Sequence, residues 1–172
     1  MYVYESVGIM VKRWFLSKKE VKTLRKELSK LYPDIPLEFE RVEKVIKKDL
    51  GEIIVVDGIP SFYIHEDKYY PLLTLLLEKG HEWLPYVIVD MGAVKPLLRG
   101  ADIMAPGIKE VHGEFKENEP VVVVEEKYKK PFVVARSLVE SEALVKGIIK
   151  RGKVLENIHR IGDRVWKLAK SL

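Results

Sequence analysis

The chain has 172 residues, of which 47% are hydrophobic and 33% charged, and this composition excludes a disordered chain and predicts a packed core of one domain or two small ones. Cysteine is absent, which excludes disulfide frameworks, thiolate nucleophiles and cysteine-based metal sites. The formal net charge of +4 permits a nucleic-acid surface without requiring one.

The N-terminal segment indicates where in the cell the protein acts, and the numbers of glutamine and asparagine residues indicate the kind of organism it comes from. Residues 1–15 lack a basic stretch followed by an apolar run and a cleavage site, and no stretch approaches 18 uninterrupted apolar residues. We therefore expect a cytoplasmic protein with no membrane partner. The chain contains no glutamine and only two asparagines beside abundant lysine and glutamate, a bias typical of thermophilic hosts.

The first predicted helix begins at Ser17. Ser17 caps the helix, Glu20 completes a capping box, and Leu16 and Val21 form a hydrophobic staple. Apolar residues then recur at helical spacing until Pro33 stops the helix. The opposite face carries five basic residues: Lys18, Lys22, Arg25, Lys26 and Lys30.

Short strands and a second helix follow. Strands are predicted over residues 43–48 and 52–56, joined by a turn at 49–51, with a third near 61–64. Pro71 is predicted as the first residue of the next helix, which is apolar nearly all round and therefore buried. These elements predict an α+β domain over residues 1–82.

After residue 82 the pattern changes to short strands broken by glycine and proline. The candidate strands are residues 86–89, 102–104, 121–125, 132–138, 157–161 and 164–168. Many short strands at close spacing predict a small, mostly-β barrel over residues 83–172.

Residues 89–108 combine turn and helix signals most densely. A short helix is predicted to begin at Gly92 to Ala93, to hold Pro96 in its first turn and to end at Gly100. Asp90, just before it, is predicted to cap this helix rather than to contact RNA.

Two basic residues of this short helix are candidate phosphate ligands. Lys95 and Arg99 are four residues apart and lie on one face, beside a platform of small residues that a sugar–phosphate backbone can approach closely. The alternative is a tight corner between two strands with solvated basic residues.

The stretch from Val89 to Ile108 resembles the signature of the PUA domain, named for pseudouridine synthases and archaeosine transglycosylases. Residues 156–166 resemble the closing hairpin of that pseudo-barrel. An α+β domain followed by a PUA domain resembles the malignant-T-cell-amplified-sequence family and its archaeal relatives, and the N-terminal sequences FLSKKEVKTLRKEL and KYYPLLTLLLEK are similar to that family as well.

This resemblance implies a non-catalytic protein of translation that binds structured RNA, such as the acceptor end of tRNA, near the small ribosomal subunit. The expected partners are tRNA or rRNA, the small ribosomal subunit and a translation factor, since eukaryotic members pair with a zinc-containing protein through the N-terminal domain. The implied RNA-binding residues are Gly92, Ala93, Lys95, Leu98, Arg99, Gly100, Ala101, Asp102, Pro106 and Gly107.

Two other functions stay open. The chain is alternatively an RNA-recognition subunit of a tRNA- or rRNA-modifying enzyme of the pseudouridine synthase or transglycosylase type, or a protein-interaction scaffold that uses the basic helix. No nucleophile motif, P-loop or dinucleotide fingerprint is present, and the four histidines lack metal-ligand spacing. We therefore expect no enzymatic activity, no cofactor and no metal.

Aromatic and further basic residues have two interpretations each. Tyr128, Phe132 and Trp166 are candidate platforms for unpaired bases, but core positions are favoured, for Trp166 in the last strand above all. His159 is expected to pack rather than to contact RNA. The basic face of the first helix, with Arg41 and three lysines near it, is either a second RNA surface or a lysine-rich surface typical of thermophiles.

Overall fold

A computed structural model gives the fold of residues 2–6 and 9–172, with side chains described from residue 11 onward. The N-terminal half contains six strands and two helices: β1 (Tyr2–Ser6), β2 (Ile9–Phe15), α1 (Lys18–Leu31), β3 (Val42–Lys47), β4 (Gly51–Val56), β5 (Ile59–His65), β6 (Lys68–Pro71) and α2 (Leu73–Lys79). The strands form one antiparallel sheet in chain order, so every strand pairs with its neighbour in sequence.

The C-terminal half contains six further strands and three α-helices: β7 (Tyr86–Val89), α3 (Val94–Leu98), β8 (Ile103–Met104), β9 (Ile108–His112), β10 (Pro120–Glu125), β11 (Pro131–Ser137), α4 (Ser141–Val145), β12 (Lys153–Arg160) and α5 (Arg164–Ser171). A 3-10 turn over Met91–Ala93 leads into α3, and another spans Ala105–Gly107. The strand order is β8-β12-β11-β10-β7-β9, with β7 and β10 parallel. The predicted fold class, an α+β half followed by a mostly-β pseudo-barrel, is confirmed.

The start of α1 follows the sequence prediction. The Glu20 backbone N–H donates to Ser17 Oγ at 3.2 Å, and the Ser17 N–H donates to Glu20 Oε2 at 2.7 Å. This reciprocal pair is the predicted capping box, and it satisfies two donors that a helix start leaves open. Leu24 and Leu28 then bury the apolar face of the helix.

The predicted start of the second helix is wrong by two residues. Pro71 is the last residue of β6, opposite Phe62 of β5, and α2 begins at Leu73. β6 is the edge strand of its sheet, and the next residue, Leu72, donates its N–H to Ser61 of β5. The nitrogen of Pro71 therefore faces away from β5, where a missing N–H breaks no ladder bond. The burial predicted for this helix is confirmed only for its first half, since Leu73, Leu75 and Leu76 are buried but Leu77 is exposed.

The C-terminal segment is a helix where a strand was predicted. The Trp166 N–H donates to the Asp163 carboxylate at 2.7 Å, so Asp163 caps α5. Val165, Leu168 and Ala169 follow helical spacing and are buried. The strand predicted over residues 164–168 and the closing hairpin over 156–166 are therefore both wrong, and Trp166 is a half-buried helical residue.

The two halves share their cores. The α5 residues pack against Val45, Ile53, Val55 and Tyr63 on one face of the N-terminal sheet. In return, alternate residues of the C-terminal sheet pack into the core beneath α1. These are Ile88, Val122, Val124 and Val134. The division at residues 82 and 83 stays a prediction, and the cores on either side of it are physically continuous.

His159 is fully buried at this joint between the halves. The Leu73 backbone N–H, at the start of α2, donates to His159 Nε2 at 3.2 Å. Because Nε2 accepts, the ring proton is on Nδ1, which donates to the Asp163 carboxylate at 3.0 Å. The prediction that His159 packs inside the protein is confirmed.

Several elements had no counterpart in the sequence predictions: β1, β2, β6, β9 and α4. Within residues 2–6 and 9–172, no helix is long and apolar enough to cross a membrane.

Candidate nucleic-acid interface

The strand directions bring several chain segments to one edge of the C-terminal sheet. Because β7 and β10 are parallel, with Val89 beside Glu125, both strands end at this edge. The neighbouring β9 is antiparallel and begins there with Ile108 opposite Val89. On the other side β12 ends there, with Arg160 opposite Val133 of β11. The connections that leave these strand ends therefore lie close together.

The short helix after β7 begins at Asp90. The Ala93 N–H donates to Asp90 Oδ1 at 3.1 Å, which confirms the prediction that Asp90 is a cap. A Cβ atom at Gly92 would lie 3.0 Å from the same Oδ1, so glycine leaves room for the capping carboxylate. Pro96 lies in the first turn of α3, as predicted, where its missing N–H costs no helical bond.

Gly100 ends the helix in a left-handed conformation, with φ +101°. A Cβ atom there would lie 3.2 Å from the guanidinium carbon of Arg160. Arg160 Nε also donates to the Leu98 carbonyl at 3.1 Å. Gly100 therefore allows a third basic side chain to lie against the end of the helix, and this cation was not among the predicted residues.

Lys95 and Arg99 are both exposed on α3 and its C-terminal cap. Among the residues whose side chains are described, neither forms an ion pair. Leu98 next to them is 38% exposed. The arrangement leaves two cations available to an anionic ligand.

The Asp102 carboxylate is bound by other groups of the protein. Its Oδ1 accepts the Asn157 backbone N–H at 2.8 Å, and Lys153 Nζ lies 3.4 Å from Oδ2. The Asn157 amide in turn donates to the carbonyls of Leu97 and Ala101, at 3.0 and 2.9 Å. Asp102 and Asn157 thus fix the backbone after the helix, so Asp102 shapes the surface whatever ligand binds there.

The turn at Pro106 and Gly107 packs beside the start of the helix. The Asp90 N–H donates to the Gly107 carbonyl at 3.2 Å. A Cβ atom at Gly107 would make only an ordinary 3.8 Å contact with Ala93. The structure therefore brings the ten predicted residues into one surface, which we call the platform: residues 91–102 and the turn at 106–107.

The lysines of a basic loop next to the platform were missed by the sequence predictions, and the core position favoured there for Tyr128 is wrong, since Tyr128 is exposed. Residues 126–130, between β10 and β11, read Glu-Lys-Tyr-Lys-Lys. The Glu125 carboxylate accepts backbone N–H groups from Lys127, Tyr128 and Lys130 at 2.7 to 3.1 Å. Burial acts to raise the pKa of Glu125, but these N–H donors outweigh it and hold that pKa below its ordinary value.

Glu126 connects the basic loop to the platform. Its Oε1 accepts the Met91 N–H at 3.1 Å, and its Oε2 lies 2.8 Å from Lys109 Nζ. The hydrogen bonds from Lys109 and Met91 lower the pKa of Glu126. Both glutamates at the base of the loop are therefore ionised and engaged, and the exposed side chains of the loop are three lysines and Tyr128.

Two family models match the chain. The PUA domain model covers residues 85–161, and the model described as "Domain of unknown function (DUF1947)" covers residues 12–79. The crystal structure of a PUA domain from Aeropyrum pernix K1 superposes with a TM-score of 0.82 at 33% identity, over 94% of this chain and 93% of that one. The C-terminal half is thus a PUA domain, and the chain is a PUA-domain protein.

Curated relatives give the particular family. An uncharacterized protein of Methanocaldococcus jannaschii is 40% identical over 90% of this chain and 95% of its own length. Translation machinery-associated protein 20 of Saccharomyces cerevisiae is 29% identical over 86% and 87%. Malignant T-cell-amplified sequence 1 of Rattus norvegicus is 31% identical over 68% and 65%. The chain belongs to this family as an archaeal-type member, and its PUA domain and relatives suggest an RNA-binding role related to translation.

Proposed function

We propose that this protein is a non-catalytic RNA-binding factor of translation whose platform holds the single-stranded 3′ end of a tRNA or of a similar RNA near the small ribosomal subunit. Cytoplasmic action follows from this proposal, since translation takes place there. The N-terminal half would then serve as the contact to rRNA or to a translation factor.

One observation carries the proposal. Lys95, Arg99 and Arg160 surround a stretch of backbone that is fixed by Asp90, Gly100 and the Asp102–Asn157 pair and that carries small residues. Basic side chains supply contacts to phosphates, and a small-residue surface allows the sugar–phosphate backbone to approach. Because the backbone of the platform and Arg160 are held in place before binding, the conformational entropy lost there when RNA binds is small.

The test is equilibrium binding of the full-length protein to fluorescently labelled tRNA, measured by anisotropy at low salt. We expect the affinity to fall about tenfold or more when the single-stranded 3′ end is trimmed. The logarithm of the binding constant should also fall linearly with the logarithm of the salt concentration, because bound phosphates release counterions. Equal binding of intact and trimmed tRNA, or no binding, would contradict the proposal.

A pair of variants locates the site. Lys95→Glu with Arg99→Glu should lower the affinity at least about tenfold, since each reversal replaces a phosphate contact with a repulsion. Lys22→Glu with Lys26→Glu makes the same change of charge on α1 and should lower it less than about threefold. Co-purification with ribosomal subunits supports the ribosomal part of the proposal, whereas a stable complex with an RNA-modifying enzyme contradicts it.

A further inference from the structure

We propose that the basic loop, residues 126–130, is a second RNA subsite, in which the Tyr128 ring stacks on an unpaired base and the three lysines hold the adjoining phosphates. The inference rests on the proposed function, because it extends the RNA path from the platform. The proposal assigns an RNA segment to a loop that is separated in sequence from the short helix.

The loop is held in one conformation by a carboxylate behind it. Glu125, 7% exposed at the end of β10, accepts the N–H groups of three of the following five residues. Lys129 adopts φ +57° to complete the turn, a conformation that costs energy in a residue other than glycine. A loop stabilised in this way presents its side chains in a fixed arrangement before any ligand arrives.

Among the aromatic residues with described side chains, Tyr128 is the most exposed, at 66%. No intramolecular hydrogen bond is made by its hydroxyl to the described residues, and Lys127 Nζ lies 5.0 Å from its ring centroid. Phe132, which follows the loop in β11, is instead buried. An exposed ring flanked by cations is the arrangement on which unpaired bases stack in single-stranded nucleic-acid sites.

The charge of the loop is available to a ligand. Lys127, Lys129 and Lys130 are exposed, and in the part of the chain with described side chains none of them forms an ion pair. Glu125 accepts backbone N–H groups and Glu126 pairs with Lys109, and both carboxylates also attract Lys129 without forming an ion pair with it. A sulfate-like or phosphate-like ligand would meet three cations within four residues.

The loop and the platform form a continuous path. Glu126 accepts the N–H of Met91, the first residue of the short helix, and its own N–H donates to the Val89 carbonyl at 3.1 Å. Met91 itself is 40% exposed. A strand of RNA that leaves the platform at Met91 would therefore meet the basic loop next.

The experiment compares an RNA hairpin that carries a single-stranded 3′ tail of eight nucleotides with the same hairpin without a tail, using the full-length protein and anisotropy. Tyr128→Ala should weaken binding of the tailed hairpin about fivefold or more, the usual effect of removing one stacked aromatic. Tyr128→Phe keeps the ring and should bind like the wild type. Lys127→Gln, Lys129→Gln and Lys130→Gln together should weaken binding and reduce its salt dependence.

The matched control is Phe15→Ala. Phe15 is 48% exposed and lies under the Arg41 guanidinium at 4.6 Å, so it is also an exposed ring beside a cation, but on the N-terminal half. This variant should leave the affinity unchanged. A photocrosslink from 5-iodouridine in the tail to Tyr128, located by mass spectrometry, would support the contact directly.

The outcomes separate the two proposals. If Lys95→Glu with Arg99→Glu abolishes binding while Tyr128→Ala and the triple lysine variant bind normally, the loop subsite is wrong and the platform stands. If the wild-type protein binds neither hairpin nor tRNA, both are wrong. If the Tyr128 variant keeps its RNA affinity but loses a protein partner, the loop binds protein and the RNA subsite is overturned.

Discussion

Two regions of the C-terminal half are built in opposite ways. One is the joint with the N-terminal half, and the other is the platform. At the joint, valines and isoleucines close against the N-terminal core, and the one buried histidine has both ring nitrogens hydrogen-bonded. At the platform, small residues and exposed cations are held by caps and backbone hydrogen bonds. Substitutions at the joint should therefore change stability alone, and most substitutions at the platform should change RNA binding.

The largest effect is expected at α5. Leu168→Ala removes a buried side chain that packs on the N-terminal sheet, and such a cavity costs about 2–5 kcal/mol of the free energy of unfolding. Leu77→Ala is the control, because Leu77 is 43% exposed in α2; it should cost less than about 1 kcal/mol. Denaturant unfolding gives both values, and equal losses would mean that α5 does not close the joint.

His159→Ala is expected to come next. The substitution leaves the Leu73 N–H and the Asp163 carboxylate without their shared partner inside the joint, which costs about 2 kcal/mol or more. RNA affinity of the folded protein should be unchanged below the unfolding temperature. A variant that keeps its stability but loses RNA affinity would assign His159 to the RNA surface instead. His65→Ala, at a half-exposed histidine, is the matched control.

Gly100→Ala should affect both properties. Alanine at this position has to adopt the left-handed backbone conformation of Gly100, and its Cβ meets the Arg160 guanidinium. We therefore expect a loss of about 1–2 kcal/mol of stability and weaker RNA binding. Gly107→Ala places a methyl group at an ordinary contact distance from Ala93 and should stay within about 0.5 kcal/mol. Thermal unfolding and anisotropy on the same samples test the difference between the two variants, and equal losses would contradict it.

The smallest stability effects are expected from the two helix caps. Ser17→Ala and Asp90→Ala each remove one capping side chain and should each cost about 1 kcal/mol. Only Asp90→Ala should lower RNA affinity, because only the short helix belongs to the platform. If both variants bind RNA equally well, the conformation of the short helix is not needed for binding.

Local signals in the sequence predicted the elements that local interactions determine. The capping box at Ser17, the cap at Asp90 and the end of the short helix at Gly100 all follow from side chains within four residues of each other. The same kind of signal was overlooked at α5, where Asp163 is a cap and Val165, Leu168 and Ala169 have helical spacing.

Features that depend on distant residues could not be predicted in the same way. The contact of Arg160 with Gly100 joins positions 60 residues apart. Nothing in the local sequence around either one indicates the other. The run of four valines in β10 did contain a signal, since all four are buried and a strand without alternation is typical of a sheet covered on both faces. It indicates that the C-terminal sheet needs a second layer, which the N-terminal half supplies.

The position of α5 has a consequence for synthesis of the chain. Val45, Ile53 and Val55 are made early, but their cover, residues 164–171, is made after all the strands of the C-terminal sheet. While the C-terminal residues are still in the ribosomal tunnel, this face of the N-terminal sheet stays open to solvent, and exposed apolar surface of that kind favours aggregation. We therefore expect nascent chains in which residues 164–171 have not yet emerged to depend on chaperones.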